Sequence, residues 1–200
     1  MQAGETETLP LRVEESYLLT RPVEACVAWS VEPQEGASIT QDGELAIDPS
    51  VSHGSIFTVT ADIENGRRLI TLDVYIYDLA VNPLVRGWRE KSQITCGSRE
   101  EVPPSEPVVS LVFYAYGRIT VRWHAIETYV NYAATYAASK DGSIELTMST
   151  FCSPLAPADF DGLGAYSIDP AGDLMLRDVW LGSPEGATGI AKCGHRFVRS

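Results

Sequence analysis

Two hundred residues, 44% of them hydrophobic, with a mean hydropathy of −0.04, suffice for one large or two small soluble domains. The apolar runs are too short to span a membrane as a helix. The net charge of −12, with no basic stripe, argues against nucleic acid and against an anionic membrane surface as partners.

The charge is uneven along the chain. Of the 27 acidic and 15 basic residues, 14 and 4 lie at or before Ala80, so that part carries −10 and the remainder −2. The N-terminus, Met-Gln-Ala-Gly-Glu-Thr-Glu-Thr, is polar and lacks the apolar core of a signal peptide. It fits either a cytosolic or virion component or a mature exported segment whose signal has been replaced by Met1. The domain architecture and the cysteines point to export, to a periplasm or cell surface.

Helical periodicity is nearly absent. Alternation of period two recurs throughout, with turn signals every 8 to 12 residues or so, which predicts an all-β protein. The expected domains are residues 1–80 and 81–200, joined by a short linker at Leu79–Pro83.

In the first domain Val27, Trp29 and Val31 alternate on a strand, followed by a Glu-Pro-Gln-Glu-Gly turn at 32–36. Short strands follow at Ala37–Ile39 and Leu45–Ile47, separated by Gln41-Asp42-Gly43. Phe57, Val59 and Ala61 alternate on the next strand. Asn65-Gly66 then signals a hairpin, since its central positions need positive φ. The return strand presents Ile70, Leu72, Val74 and Ile76. About seven short strands around a central Trp predict a β-sandwich.

The pattern Val27-x-Trp29-x-Val31, Ala37-Ser38-Ile39, Asp42-Gly43-Glu44-Leu45 and Phe57-Thr58-Val59-Thr60-Ala61 resembles the bacterial immunoglobulin-like domains over residues 8–78 or so. The resemblance implies an immunoglobulin-like sandwich of the kind found in surface adhesins, exported proteins and some phage proteins. There such domains serve as spacers or adhesion modules.

The second domain reads as eight strands, at about 85–96, 107–116, 118–126, 129–138, 143–150, 164–169, 173–181 and 189–199. Tight turns fall at Tyr116-Gly117, at Lys140-Asp141-Gly142-Ser143 and at Pro170-Ala171-Gly172-Asp173. Consecutive hairpins without helices predict an eight-stranded antiparallel up-and-down barrel.

Cys26, Cys96, Cys152 and Cys193 contain no C-x-x-C pair, which argues against zinc and dithiol redox chemistry. If the first and last barrel strands meet, Cys96 pairs with Cys193; Cys152–Cys193 is the alternative. Cys26 is then expected as a free, buried thiol.

Gly87-Trp88 on the first strand, the eight-strand meander, and the segment from Tyr166-Ser167-Ile168-Asp169 to Leu174-x-Leu176-x-Asp178 resemble the lipocalin-like barrels over residues 84–199. That family usually separates its Gly and Trp by one residue, whereas here they are adjacent. The resemblance implies that an Arg of the last strand, Arg196 or Arg199, stacks over Trp88.

His53, His124 and His195 lack paired-ligand spacing, and no nucleophile elbow, phosphate loop or dinucleotide fingerprint is present. No cofactor, metal or catalytic residue is therefore assigned. Asp159 and Asp161, flanking Phe160, read as polar loop residues that cap the next strand.

Alternation places Leu111, Phe113, Ile119, Val121 and Trp123 inside the barrel, with Ile144, Leu146, Met148, Tyr166, Ile168, Leu174, Leu176 and Trp180. It carries Asp178 and His195 inside too, where a polar group needs a partner, water or a ligand. Tyr114, Tyr116, Tyr129, Tyr132 and Tyr136 form a second aromatic set, part of which is expected to face outward.

Two functions fit these features. In one, a non-enzymatic extracytoplasmic protein binds a small apolar or amphipathic ligand through Phe113, Trp123, Tyr166, Asp178, Trp180 and His195, with the first domain as spacer. In the other, a structural or adhesive surface or virion protein has a solid barrel and an outer aromatic face that contacts a protein partner. An enzyme using Asp178 and His195 is a third, weaker reading.

Overall fold

The structure is a computed structural model that describes residues 1–11, 14–16, 20–22, 25–123, 131–148, 157–183 and 192–200. Every regular element among these residues is a β-strand, so the all-β expectation holds. No helix among them is long and apolar enough to cross a membrane. The chain divides into two units, Met1–Asp78 and Leu79–Ser200.

The N-terminal unit contains β1 (Thr6–Thr8), β2 (Glu14–Ser16), β3 (Thr20–Pro22), β4 (Val27–Glu32), β5 (Ala37–Ile39), β6 (Glu44–Ile47), β7 (Ile56–Ile63) and β8 (Arg68–Tyr75). They form two three-stranded sheets, β1-β6-β5 and β4-β7-β8, and a separate β2-β3 hairpin. Both three-stranded sheets feed one apolar cluster: Val31, Leu45, Ile47, Phe57, Val59, Val74 and Ile76 are buried together. Trp29 lies half-buried at its margin. Gly43 sits so close that a Cβ there would lie 3.1 Å from the Trp29 ring, which accounts for a glycine with φ of +79° at that turn.

The β7–β8 hairpin forms where Asn65-Gly66 predicted it, with a wider loop. Glu64, Asn65 and Gly66 all take positive φ between Ile63 and its ladder partner Arg68. The Asp62 carboxylate accepts the Gly66 amide at 2.5 Å and closes that loop. Cys26 is free, as expected, but exposed rather than buried. It stands just before β4, outside the alternation that buries Val31.

The C-terminal unit contains β9 (Gly87–Thr95), β10 (Glu101–Val102), β11 (Ser110–Phe113), β12 (Arg118–Arg122), β13 (Tyr132–Ala138), β14 (Ser143–Met148), β15 (Leu163–Ile168), β16 (Leu174–Arg177) and β17 (Lys192–Arg199). Neighbours from β11 to β17 pair antiparallel in sequence order, and β9 pairs with both β11 and β17. Eight strands thus close an up-and-down barrel, while short β10 lies along the far half of β9. The hairpins turn at Gly117, Gly142 and Gly172, whose φ values of +78°, +89° and +86° few other residues tolerate.

The ladder registers trace one continuous inner face. Trp88 pairs with Leu111, Leu111 with Val121, and Val121 with Tyr132. Tyr166 pairs with Leu176, Leu174 with Phe197, and Phe197 with Glu90. Trp88, Phe113, Phe197, Leu111, Ile119, Leu174 and Leu176 are each at most 1% exposed. An eight-stranded barrel has an interior that such side chains fill.

Candidate functional site

The inside of the barrel holds a polar pair. On β9 the alternation that buries Trp88 also buries Glu90, and on β17 the one that buries Phe197 buries His195. The Leu181 amide donates to His195 Nε2 at 3.1 Å, which fixes the ring proton on Nδ1. Nδ1–H donates to Glu90 Oε1 at 2.5 Å, and Glu90 Oε2 accepts the Val108 amide at 2.7 Å. Every polar atom of the pair therefore has a partner, and that is how these two groups are accommodated in an apolar interior.

Aromatic rings surround this pair. Trp180 stacks on the His195 ring, with centroids 4.5 Å apart and planes within 7° of parallel, and the Phe197 ring lies 5.6 Å from it, tilted by 35°. Trp123 contacts Tyr132 at 5.6 Å, and Tyr132 meets Phe160 edge-on at 5.9 Å. The Tyr132 hydroxyl donates to the Leu181 carbonyl at 2.8 Å, so the Leu181 peptide links the two aromatic groups. Burial pushes the Tyr132 phenol well above its ordinary pKa.

Asp159 ties the 157–162 segment to this end of the barrel. It accepts Trp180 Nε1 at 3.0 Å, the Ser183 amide at 3.0 Å and the Ser183 hydroxyl at 2.8 Å. Partial burial opposes ionisation there, but these donors outweigh it and hold the carboxyl below its ordinary pKa. Asp161 accepts the Leu163 amide at 3.3 Å and so caps β15, as its loop position predicted.

The six residues expected to line a pocket are not brought together as one site. Trp123, Trp180 and His195 belong to the aromatic end just described. Phe113 lies toward the opposite, hairpin end, edge-on to Tyr136 at 4.9 Å. Tyr166 is half-buried there, its hydroxyl donating to the Ser139 carbonyl at 3.0 Å. Asp178 is outside the barrel: its side chain is 56% exposed and pairs with Arg99 at 2.7 Å. Its φ of +60° just after β16 breaks the alternation, so that Val179 and not Asp178 enters the core. Asp178 and His195 thus have separate partners, and no acid–base pair forms between them.

The second aromatic set divides between inside and outside. Tyr132 is buried inside, its register partner being Val121. Tyr136 is half-buried, its hydroxyl donating to the Tyr114 carbonyl at 3.0 Å. Of the expected outer aromatic face, Tyr116 is exposed and stacks on Tyr114 at 5.3 Å. Tyr129, His124 and Cys152 lie outside the described residues.

The guanidinium over Trp88 is that of Arg86, 5.6 Å from the ring centroid, and not of Arg196 or Arg199. The Trp88 indole N–H donates to the Leu84 carbonyl at 2.9 Å. Arg196 instead binds three carboxylates: Nε donates to Asp173 at 2.9 Å, Nη1 to Glu101 at 3.0 Å and Nη2 to Asp169. Lys91 joins Asp173 at 3.1 Å, and Ser92 donates to Glu101 at 2.7 Å. A register shift between Arg196 and Phe197 sets Arg196 beside Ser92 on the ladder, on the side of this network.

Cys96 and Cys193 form the expected disulfide, their Cα atoms 4.8 Å apart. It joins the end of β9 to the start of β17 across the closure of the barrel. Glu90 and Leu181 are the site residues that the sequence reading missed. Glu90 was detectable, two positions after Trp88 on a strand of period two. Leu181 contributes through its backbone and leaves no such signal.

Among the described residues, no group of three or more His, Cys, Asp and Glu side chains is arranged to hold a metal ion. Comparisons with family models, curated proteins and solved structures returned no match.

Proposed function

We propose that this chain is a non-enzymatic extracytoplasmic structural or adhesive protein whose barrel is a solid scaffold, with partner contacts made on its outside. The observation that carries this reading is the filled interior. Trp88, Phe113, Ile119, Leu174, Leu176 and Phe197 occupy it, and its polar pair, Glu90 and His195, is satisfied by protein groups. A pocket that binds small molecules offers open volume and polar groups aimed into it. Two depressions, of about 490 Å³ and about 370 Å³, are shared between inward and outward residues. The first is lined by Arg89, Glu90, Lys91, Pro107, Val109 and Val198, the second by Ala137, Ala138, Ser139, Ser143, Ile144, Glu145, Leu163 and Gly164. The Cys96–Cys193 disulfide supports an oxidising compartment.

The test is native mass spectrometry of protein purified from its own host, together with titration by an apolar fluorophore. The solid-barrel reading expects a mass accounted for by protein chains alone, whatever their number, and no saturable uptake. A stoichiometric small molecule, or saturable uptake lost on Trp123→Ala or Trp180→Ala, would overturn it in favour of a hollow barrel.

A further inference from the structure

The sheet β4-β7-β8 ends on β8, and the free side of that strand is unlike a protected edge. Ile70 and Leu72 pair on the ladder with Ala61 and Val59, so they share the face that builds the core. Yet Ala61 and Val59 are 2% and 1% exposed, while Ile70 and Leu72 are 42% and 51% exposed. Leu69, on the opposite face, is 62% exposed. The inner layer is thus one strand short beside β8.

The backbone defines where that strand would fit. Beyond β8 the outer side is taken by the N-terminus: the Met1 ammonium donates to the Tyr75 carbonyl, and the Tyr77 amide donates to the Met1 carbonyl, each at 3.1 Å. On the other side, Ile76 bonds back to Ser55 and Gly54. Odd-numbered residues of this strand therefore point their N–H and C=O groups outward, and even-numbered ones toward β7. Among the described residues, the outward groups of Leu69, Thr71 and Asp73 have no backbone partner.

We propose that β8 is a self-association edge, pairing antiparallel with β8 of a second copy of this chain about a two-fold axis at Thr71. The free window is symmetric about Thr71. In this register Thr71 faces Thr71 of the second copy, and Leu69 faces its Asp73. Each outward amide then meets a carbonyl. Ile70 of one copy lies opposite Leu72 of the other on the inner face, covering both. Such a contact is isologous and closes at two copies. It joins two three-stranded sheets into one of six strands. The inference concerns the N-terminal unit alone and holds whatever the barrel binds.

The test uses the full chain with Cys26→Ser and Cys152→Ser, which leaves only the two cysteines of the disulfide, and measures mass by light scattering and sedimentation. A concentration-dependent dimer is expected. It should tighten as salt rises from about 0.15 M to about 1 M, because screening relieves the repulsion between two acidic units. Thr71→Cys in that background should cross-link under oxidation through position 71, since facing residues of a hydrogen-bonded pair lie about 5.5 Å apart, within disulfide reach. Leu72→Lys and Thr71→Pro should each weaken the dimer by about tenfold or more. Neither perturbs the fold on this geometry, because Leu72 is half exposed and the Thr71 amide points away from β7; circular dichroism checks that. A monomer at every accessible concentration overturns self-pairing and leaves the edge to a strand of another protein. A dimer indifferent to both substitutions overturns it as well.

Discussion

His195 and Glu90 lie 105 residues apart in sequence and 2.5 Å apart in space, their side chains 1% and 0% exposed. The pair spans the β9–β17 seam on the inside of the barrel, behind the disulfide that spans it at one end. Removing one member leaves the other buried with an unmet polar group. Glu90→Ala or His195→Ala should each cost about 3–5 kcal/mol. The double substitution should cost less than the sum of the singles, by roughly 0.5–3 kcal/mol. Denaturant unfolding of the four proteins measures this. Additive costs would mean that the two side chains do not support one another.

The Cys96–Cys193 bond closes a loop with a sequence separation of 97. Loop-closure entropy for so long a loop corresponds to about 4–5 kcal/mol, an upper figure where the unfolded chain retains structure. Reduction, or paired Cys→Ser substitution, should therefore lower the unfolding midpoint of the barrel substantially and leave that of the N-terminal unit unchanged. Probes placed separately in the two units distinguish these transitions.

Acid should act on named carboxylates. Asp173 loses ionisation to burial but gains more from Arg196 and Lys91, so its pKa falls below the ordinary value. Glu101 is lowered first by the Ser92 hydroxyl and then by Arg196, and Asp159 is lowered by Trp180 and Ser183. A pKa depressed in the folded state contributes stability that is complete above the unfolded value, about 4 for these groups, and is lost as pH falls through the folded value. Thermal midpoints should hold steady above about pH 5 and drop below about pH 4. Asp173→Asn should flatten that drop while lowering stability at neutral pH.

Asp159→Ala removes the acceptor for three donors at once, on Trp180 and Ser183. A loss of about 1–3 kcal/mol is expected from the donors left without that acceptor. Tryptophan emission should change, because the Trp180 indole N–H loses its carboxylate, and the Ser183 amide should exchange faster with solvent. Unchanged exchange at Ser183 would mean that the 157–162 segment is held by other contacts.

Much of the barrel was legible because its hairpins obey simple rules. Gly117, Gly142 and Gly172 mark turns that need positive φ, and on the strands flanking them buried and less buried side chains alternate, over Leu111–Phe113, Ile119–Val121 and Ile144–Leu146. Period two fails where the backbone leaves the extended region. Asp178 shows this, since one left-handed residue sends it outward and lets Val179 in. Tyr132 shows a second limit. Whether it lies in or out depends on the β12–β13 register, which is set by a connection whose length the alternation of neither strand reveals. The Arg expected over Trp88 failed for an electrostatic reason, as Arg196 is claimed by Asp169, Asp173 and Glu101 while Arg86 lies nearer the ring. In the N-terminal unit the Asn65-Gly66 signal located the hairpin. It could not show that the strand leaving it would stand at an uncovered edge.

Because β17 pairs with both β16 and β9, the barrel is sealed by the strand that the ribosome makes last of the nine. Until it emerges, β9 and β16 each present an open flank, and Cys96 waits as a thiol for a partner that does not yet exist. Assembly of this unit therefore waits on β17 for its decisive step, with oxidation as the event that locks it. A chain cut before Lys192 should retain its hairpins yet associate with other chains through the two flanks left open.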